Sequence, residues 1–224
     1  MKIKKEIFTM FALFAFVSMV VSCGSGNNNI SDLPVQTGDE IVRKDSVFTG
    51  QELFRRNCAG CHGLNKEGTP PVFPSLVTIK DKMNKEQIHD QIKNGKGLMI
   101  SHAHLPDNEI SAIIAYLFNE PDAQTVIKNY SSVDLGRTIV MSNCVSCHRL
   151  TVNDSLPPNV KVLCPLIEPS ALIGEVNPLT LEEFYLVLKT GPCSMPSFNY
   201  LTPKDKEAIW TYLKNLERQI QKFQ

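Results

Sequence analysis

Two copies of one short motif, Cys-x-x-Cys-His, hold the residues best suited to chemistry, at positions 58–62 and 144–148. Two thiols three positions apart lie on one helical turn, where they can form thioethers to the two vinyl groups of one haem. The adjacent histidine then presents an imidazole nitrogen to the iron as an axial ligand. The motifs therefore predict two covalently bound haem c cofactors, attached at Cys58, Cys61, Cys144 and Cys147, with His62 and His148 as iron ligands.

Other uses of paired cysteines explain the two motifs less well. A zinc ribbon pairs two Cys-x-x-Cys units that are about 15–20 residues apart, whereas these two units are 86 residues apart. A thioredoxin-like redox site requires a βαβ context, and the sequence pattern indicates none.

The motifs belong to an internal repeat, which predicts two similar domains at residues 45–121 and 131–224. Residues around the motif recur 86 positions later, among them Gly50, Asn57, Cys58, Cys61 and His62. Residues nearer the end of each copy recur 96 positions later, among them Gly95, Met99, Leu105, Ile113, Tyr116 and Leu117. The second copy therefore carries ten extra residues between His148 and Gly191. A short link around residues 121–130 joins the copies.

Each copy is predicted to consist of helices joined by long loops, so the fold class is all-α. A first helix precedes each motif, over about residues 50–58 and 136–144. The middle helices begin with capping boxes at Asn84 and Thr180 and end before Gly95 and Gly191. The last helices carry apolar residues at helical spacing. A domain this small cannot build a large core alone, so each helical bundle is expected to wrap around its haem.

At this point the sequence resembles a known family. Each half is similar to a class I cytochrome c domain, and the pair is similar to a dihaem cytochrome c. The motif G-x-x-[LI]-[FV]-x-x-x-C-x-x-C-H at residues 50–62 and 136–148 carries the resemblance, which covers roughly residues 45–218. The resemblance implies that the first helix of each copy packs against a tyrosine of the last, Gly50 and Phe54 against Tyr116, and Gly136 and Val140 against Tyr212.

The resemblance also implies a methionine on the other face of each iron. Met195, which precedes Pro196, matches the family pattern well. Met99 occupies the corresponding position in the first copy but is followed by Ile100, where proline is usual. His102 and His104 therefore stay open as alternative ligands of the first iron, whereas His89 is interpreted as a surface residue.

The family further implies a proline carbonyl that accepts a hydrogen bond from the iron-binding histidine. Pro74 is the candidate in the first copy, and Pro165 or Pro169 in the second.

The N-terminus resembles a bacterial lipoprotein signal. Three lysines precede a 15-residue apolar run, which is short for a membrane-spanning helix of about 20 residues. The run ends in Val-Val-Ser-Cys, which is similar to a lipobox and predicts a signal peptide at 1–22 and a lipidated Cys23. Residues 23–44 would then form the lipidated tether, and the mature protein would lie on the periplasmic side of a bacterial cell envelope. An uncleaved anchor helix and a buried free cysteine at position 23 are the alternatives.

Two cysteines are left, Cys164 and Cys193, both in the second copy and without counterparts in the first. In an oxidising compartment the simplest interpretation is a disulfide between them. It would join the ten-residue insertion to the loop that carries Met195. A thiolate that binds iron in place of Met195 is the alternative, because Cys193 lies two residues before it.

The expected function is single-electron transfer between a redox donor and a redox acceptor by a membrane-tethered carrier. The formal net charge of zero, or −2 after removal of residues 1–22, lacks the basic excess of a nucleic-acid-binding protein, so no nucleic acid is expected as a partner. Histidine and methionine ligands fill both axial positions of an iron, which favours a carrier over an enzyme. The alternatives are a dihaem enzyme, similar to thiosulfate dehydrogenase or a peroxidase, and a cytochrome subunit of a larger oxidoreductase.

Overall fold

The computed structural model describes residues 44–121, 124–158, 168–175, 178–192 and 195–221. Residues 44–121 are called the first repeat here, and residues 124–221 the second repeat. The first repeat contains strand β1 (Lys44–Thr49) and helices α1 (Gly50–Asn57), α2 (Ala59–His62), α3 (Lys85–Asn94) and α4 (Asp107–Leu117), with a 3-10 turn at Ile79–Asp81. The second repeat contains strand β2 (Gln124–Tyr130) and helices α5 (Ser132–Asn143), α6 (Leu172–Glu175), α7 (Leu181–Thr190) and α8 (Pro203–Gln221).

The predicted helical class is confirmed, with one addition. The two strands pair antiparallel, with Val47 opposite Val126 and Phe48 opposite Thr125. Residues 124–130, expected to be part of a link, therefore form a strand that pairs with the segment preceding α1. None of the helices in the described ranges is long and apolar enough to span a membrane.

Helix boundaries follow from local hydrogen bonds. The predicted capping boxes of α3 and α7 are present: the side chain of Asn84 or Thr180 accepts a hydrogen bond from the amide three residues on, and its own amide donates to the side chain of that residue. Thr49 and Ser131 form two further capping boxes, which start α1 and α5. Helix α5 therefore begins at Ser132, four residues before the predicted start at 136.

The apolar core of each repeat forms between its first and last helices, α1 with α4 and α5 with α8. The rings of Phe54 and Tyr116 lie 5.3 Å apart between centroids, as the family resemblance implies. Val140 and Tyr212 belong to one buried cluster in the second repeat. A Cβ atom on Gly136 would overlap the carbonyl oxygen of Ala208, so α5 and α8 pack closely enough there to exclude any side chain.

Gly136→Ala is therefore expected to lower the free energy of unfolding by roughly 1–3 kcal/mol, since overpacking forces the two helix backbones apart. If the two helices left room for the methyl group, Gly136→Ala would instead raise the free energy of unfolding, because alanine is a better helix former than glycine. Denaturant unfolding of the haem-loaded protein measures the difference. Ser132→Ala, at an exposed position of the same helix, is the control and should stay within about 0.5 kcal/mol of the parent.

The two repeats also meet through a buried carboxylate. Asp205 in α8 has no exposed side-chain surface and binds Nη1 of Arg55 at 2.7 Å and Nε of Arg56 at 2.8 Å, both from α1. Burial alone would raise the pKa of Asp205, but the two arginines and the hydrogen bonds from Thr202 outweigh it and hold the pKa below its ordinary value. In the repeat-related acid Glu109, Oε2 is buried with no hydrogen-bond partner among the described residues, and burial raises the pKa of this carboxyl to about 7 despite Arg56.

Candidate haem sites

The first Cys-x-x-Cys-His segment is a single helical turn at the end of α1. The amide of Cys58 donates to the carbonyl of Phe54 at 2.8 Å, which continues the hydrogen bonds of α1. The amides of Cys61 and His62 both donate to the carbonyl of Cys58, at 3.2 and 3.0 Å. These bonds place the two thiols and the imidazole on one turn, which is the arrangement that thioether attachment and axial ligation require.

The imidazole of His62 is oriented by the backbone. Its Nδ1 lies 2.9 Å from the carbonyl oxygen of Pro74, so Nδ1 donates the hydrogen bond and Nε2 is left as the nitrogen able to bind iron. The prediction of Pro74 as the acceptor is confirmed. Burial lowers the pKa of His62, although the hydrogen bond to Pro74 opposes that shift, and the neutral imidazole is the form that coordinates a metal.

A cavity of about 560 Å³ lies beside this turn, within the range of about 300–1,000 Å³ typical of cofactor sites. Its wall is mostly apolar and includes Phe54 of α1, Ile88 of α3 and Ile113 of α4. Both attachment cysteines, His62 and Met99 line the same cavity. The residues present therefore fit a haem, since attachment points, a proximal histidine and a thioether sulfur surround one apolar space.

The loop that carries Met99 is held in place by its own hydrogen bonds. Lys96 and Met99 exchange two backbone bonds, at 3.0 and 3.1 Å. Nε2 of Gln91 lies 3.9 Å from the sulfur of Met99 and donates to it. A donor on the sulfur fixes the direction of the thioether, as second-shell partners of metal ligands commonly do.

The two alternative ligands of the first iron have different surroundings. His102 lines the cavity, is only 6% exposed, and donates from Nδ1 to the carbonyl of Ile100 at 3.0 Å. His104 instead lies 2.9 Å from Oγ of Ser142 in the second repeat. Burial lowers the pKa of both rings, that of His104 to about 4. His89 is on α3, is 32% exposed, and contacts Asp90 and Asp107 away from the cavity wall.

The second Cys-x-x-Cys-His segment repeats the geometry of the first. The amides of Cys147 and His148 donate to the carbonyl of Cys144, at 3.1 and 2.8 Å. Nδ1 of His148 lies 2.9 Å from the carbonyl oxygen of Ser170. The prediction of Pro165 or Pro169 as the acceptor is therefore wrong. The acceptor, Ser170, directly follows Pro169, and Pro165 lies outside the described residues. The ten-residue insertion obscured the register that would have identified Ser170.

Met195 lies in the same backbone context as Met99. The residue three positions after each methionine donates its amide to the middle helix, His102 to Ile92 at 2.9 Å and Phe198 to Leu188 at 2.7 Å. Met195 itself is half-buried and packs against the second core, which also contacts Cys144. The repeat register thus places both methionines at the end of a similar loop.

Together these two turns, two oriented imidazoles and two methionine loops have the arrangement of a haem-binding cytochrome. A family model described as cytochrome c oxidase, cbb3-type, subunit III matches the chain twice, over residues 45–117 and 131–213. The chain belongs to the cbb3-type cytochrome c oxidase subunit III family. Membership implies a cytochrome c that transfers electrons and holds haem c covalently.

Three curated relatives are similar to this chain, over different shares of its length. The cytochrome bc1 complex cytochrome c subunit of Mycobacterium leprae (strain TN) is 25% identical over 76% of this chain and 62% of that protein. Cytochrome c-551 of Bacillus subtilis (strain 168) is 30% identical over 51% of this chain and 96% of that protein. The cbb3-type cytochrome c oxidase subunit CcoP of Helicobacter pylori (strain ATCC 700392 / 26695) is 32% identical over 48% of this chain and 39% of that protein. The chain thus spans about 62% of the length of the first of these relatives.

The two Cys-x-x-Cys-His segments of this cytochrome c lie against each other. Nδ2 of Asn143 donates to the carbonyl of Arg56 at 2.8 Å, and Oγ of Ser142 donates to Oδ1 of Asn57 at 2.8 Å. Ser146, inside the second motif, lines the cavity of the first. The repeat does not predict this contact. It shows that Arg56 and Asn57 are equivalent to Ser142 and Asn143, 86 positions later, but equivalence between two copies does not indicate that they touch.

Tyr200 fills the space between the two motifs. Its ring packs against both apolar cores, and its hydroxyl is 3.2 Å from where a Cβ atom of Gly60 would lie. The hydroxyl is buried and has no hydrogen-bond partner among the described residues. Burial, reinforced by the nearby thiols, raises the pKa of Tyr200 well above its ordinary value, and burial likewise raises the pKa of Cys58 and of Cys144 to about 12.

Three cysteines of the sequence analysis lie outside the described residues. They are the predicted lipidation site Cys23 and the predicted disulfide partners Cys164 and Cys193. The predictions for them are therefore untested.

Proposed function

We propose that this protein is a dihaem c-type cytochrome that carries single electrons between two redox partners. The observation that carries the proposal is the repeated site. In each repeat a Cys-x-x-Cys-His turn follows the first helix, its histidine donates from Nδ1 to a backbone carbonyl, and a methionine loop precedes the last helix. One such site supports one haem, so two support two.

The proposed cofactor contacts follow from these positions. Cys58 and Cys61 would hold the first haem and Cys144 and Cys147 the second, with His62 and His148 as proximal ligands. Met99 and Met195 would supply the second axial ligands. When bound, haem c supplies an iron that gains and loses one electron.

The residues of the first site favour electron transfer over substrate chemistry. The mostly apolar wall would limit water near a bound haem, and His62 and Met99, with both bound to its iron, would leave no coordination position for a substrate. Gln91 holds the sulfur of Met99 in a fixed direction. A site that changes little between oxidation states transfers an electron with little rearrangement of the protein.

A place within a larger complex is the second candidate, and the relatives favour it. Two of the relatives named above are described as a subunit of the cytochrome bc1 complex and a subunit of a cbb3-type cytochrome c oxidase. We propose on that ground that the donor and acceptor are redox centres of a membrane-bound respiratory complex. A lipid on Cys23 would hold the protein at the periplasmic face of the membrane, close to such partners.

Mass spectrometry of the protein isolated from its membrane tests this part of the proposal. Acyl chains on an N-terminal Cys23 and a mass two hydrogens lower without reductant would support the anchor and the Cys164–Cys193 disulfide. An unprocessed N-terminus would contradict the anchor.

Met99→Ala and Met195→Ala are each expected to remove half of the sulfur-to-iron charge-transfer absorption of the oxidised protein, because each variant opens one axial position. The opened haem should become high-spin, which electron paramagnetic resonance detects. His89→Ala, outside the cavity wall, is the matched control and should leave both signals unchanged.

The same spectra test the enzyme alternative. A high-spin or thiolate-type signal in the parent protein, or haem reduction and turnover on addition of thiosulfate or peroxide, would contradict the carrier. Intact absorption from two methionine ligands together with no turnover would support it.

A further inference from the structure

Two lysines lie at the mouth of the first cavity. Lys82 and Lys96 both line the cavity and are both exposed, so they lie where it opens to solvent. Lys82 comes two residues before Asn84, the N-cap of α3, and Lys96 directly follows Gly95, its C-cap. No carboxylate is among the described residues that line the cavity. The mouth therefore carries positive charge beside both ends of α3.

These two lysines differ from a neighbouring lysine on α3 itself. Lys85 lies outside the cavity wall, and its Nζ forms an ion pair with Glu120 at 2.6 Å. Neither Lys82 nor Lys96 has an ion pair with any residue in the described part of the chain. Their ammonium groups are therefore available to an anion that the cavity holds.

The chemistry of haem specifies that anion. A haem is an apolar ring with its vinyl groups along one edge and its propionate carboxylates along the opposite edge. Cys58 and Cys61, at the end of α1, would fix the vinyl edge, so another part of the wall must hold the propionates. Lys82 and Lys96 belong to the segments that flank α3, and a cation is the usual partner of a carboxylate beside an apolar surface.

The second repeat has no lysine at either corresponding position. In the repeat register, Lys82 and Lys96 correspond to Pro178 and Pro192, 96 positions later, and both prolines are exposed. A proline side chain carries neither a charge nor a hydrogen-bond donor. The two repeats therefore share the attachment motif and the methionine loop but differ in charge at these two positions.

We propose that Lys82 and Lys96 bind the propionates of the first haem and thereby raise the reduction potential of that haem. This inference rests on the proposed function, because it requires a haem in the first site. The sign of the effect follows from charge alone. Oxidation adds one positive charge to a haem, and neighbouring cations disfavour that charge, so they stabilise the reduced form.

A reductive titration of the haem-loaded protein, followed by absorption, tests the effect on the potential. The step of the first haem is the one that moves in Met99→Ala. Lys82→Gln and Lys96→Gln should each lower that step, changing the ratio of reduced to oxidised first haem by roughly twofold, the size expected for one exposed ion pair. The double variant should change the ratio by roughly fourfold, and added salt should reduce each shift.

Resonance Raman spectra test the contact itself, since the propionate bending band responds to hydrogen bonds on the carboxylates. The band should shift in Lys82→Gln and return in Lys82→Arg, which restores the charge. Lys80→Gln is the matched control, because it removes the same charge from an exposed lysine outside the cavity wall. It should leave the band unchanged and move the step less than Lys82→Gln does. Equal effects of the two variants would overturn the proposal, since a general surface charge would then explain them.

Further outcomes separate the causes of failure. An unchanged step and an unchanged band in the double variant would overturn the proposal while leaving the carrier function intact. Lys96 lies in the loop of Met99, so Lys96→Gln counts only if it keeps the sulfur-to-iron absorption; otherwise Lys82→Gln, outside that loop, decides. A parent protein that holds fewer than two covalent haems, or takes up fewer than two electrons, would instead contradict the proposed function.

Discussion

Asp205→Asn is expected to lower the free energy of unfolding by about 3–5 kcal/mol, the usual cost of removing one partner of a buried ion pair. The carboxylate is completely buried between Arg55 and Arg56, at 2.7 and 2.8 Å. The side chain of Arg56 is itself 7% exposed, so its charge would stay buried beside Glu109, an acid whose own burial raises its pKa to about 7. An amide keeps the shape of the side chain, and the loss therefore reports on charge rather than on packing.

Glu183→Gln is the matched control for that substitution. Glu183 holds the same position in the capping box of α7 that Asp205 holds in that of α8, but it is exposed and has no ion pair with an arginine among those given for the described residues. Its replacement should cost no more than about 1 kcal/mol, as expected for an exposed helix cap. Equal losses in both variants would contradict a stabilising role for the ion pair between repeats.

The pH dependence of the same variant has a definite sign. The pKa of Asp205 is depressed in the folded protein, so its contribution to stability is complete above the unfolded pKa of about 3.9 and is lost as the pH falls through the folded value. The parent and Asp205→Asn should therefore differ fully at pH 7 and converge under strongly acidic conditions. Urea unfolding across that range measures the convergence.

Replacing Cys144 and Cys147 together with alanine is expected to reduce the haem content from two per chain to one. The two thioethers are the proposed covalent bonds to the second haem, and His148 alone would hold it only by coordination. The second repeat should lose its ordered structure at the same time, because the haem would supply much of the interior of so small a domain. Pyridine haemochrome absorption and the intact mass measure the haem content.

Ser146→Ala is the control, since it changes the same turn without removing a thiol. It should keep two haems. The pair Cys58→Ala and Cys61→Ala should give the mirror-image result, with the second haem retained. A double-cysteine variant that still carried two covalent haems would contradict the assignment of that motif.

Much of each site could be predicted because it depends on neighbours in the chain. Cys58, Cys61 and His62 act together through one helical turn, so their spacing alone predicts their arrangement. The capping boxes at Asn84 and Thr180 likewise close over three residues. The repeat then transfers each local conclusion from one copy to the other.

Other features escaped prediction because no local pattern specifies them. The register failed at Ser170, where the insertion before it removed the correspondence with Pro74. The pairing of β1 with β2 was missed, since neither strand shows the strict apolar alternation of a half-buried strand and their partners are about 80 residues apart.

The sequence by itself thus determined the two Cys-x-x-Cys-His motifs, which are proposed to attach haem, and the helices that precede them. Only the tertiary structure decided how the two copies meet. Arg55 and Arg56 find Asp205 about 150 residues away, and Ser146 reaches the cavity of the other copy. The reason is physical. Turns and caps form through hydrogen bonds within a few residues, so a short stretch of sequence specifies them. Contacts between the two copies depend on how the whole chain packs, which no short stretch specifies by itself.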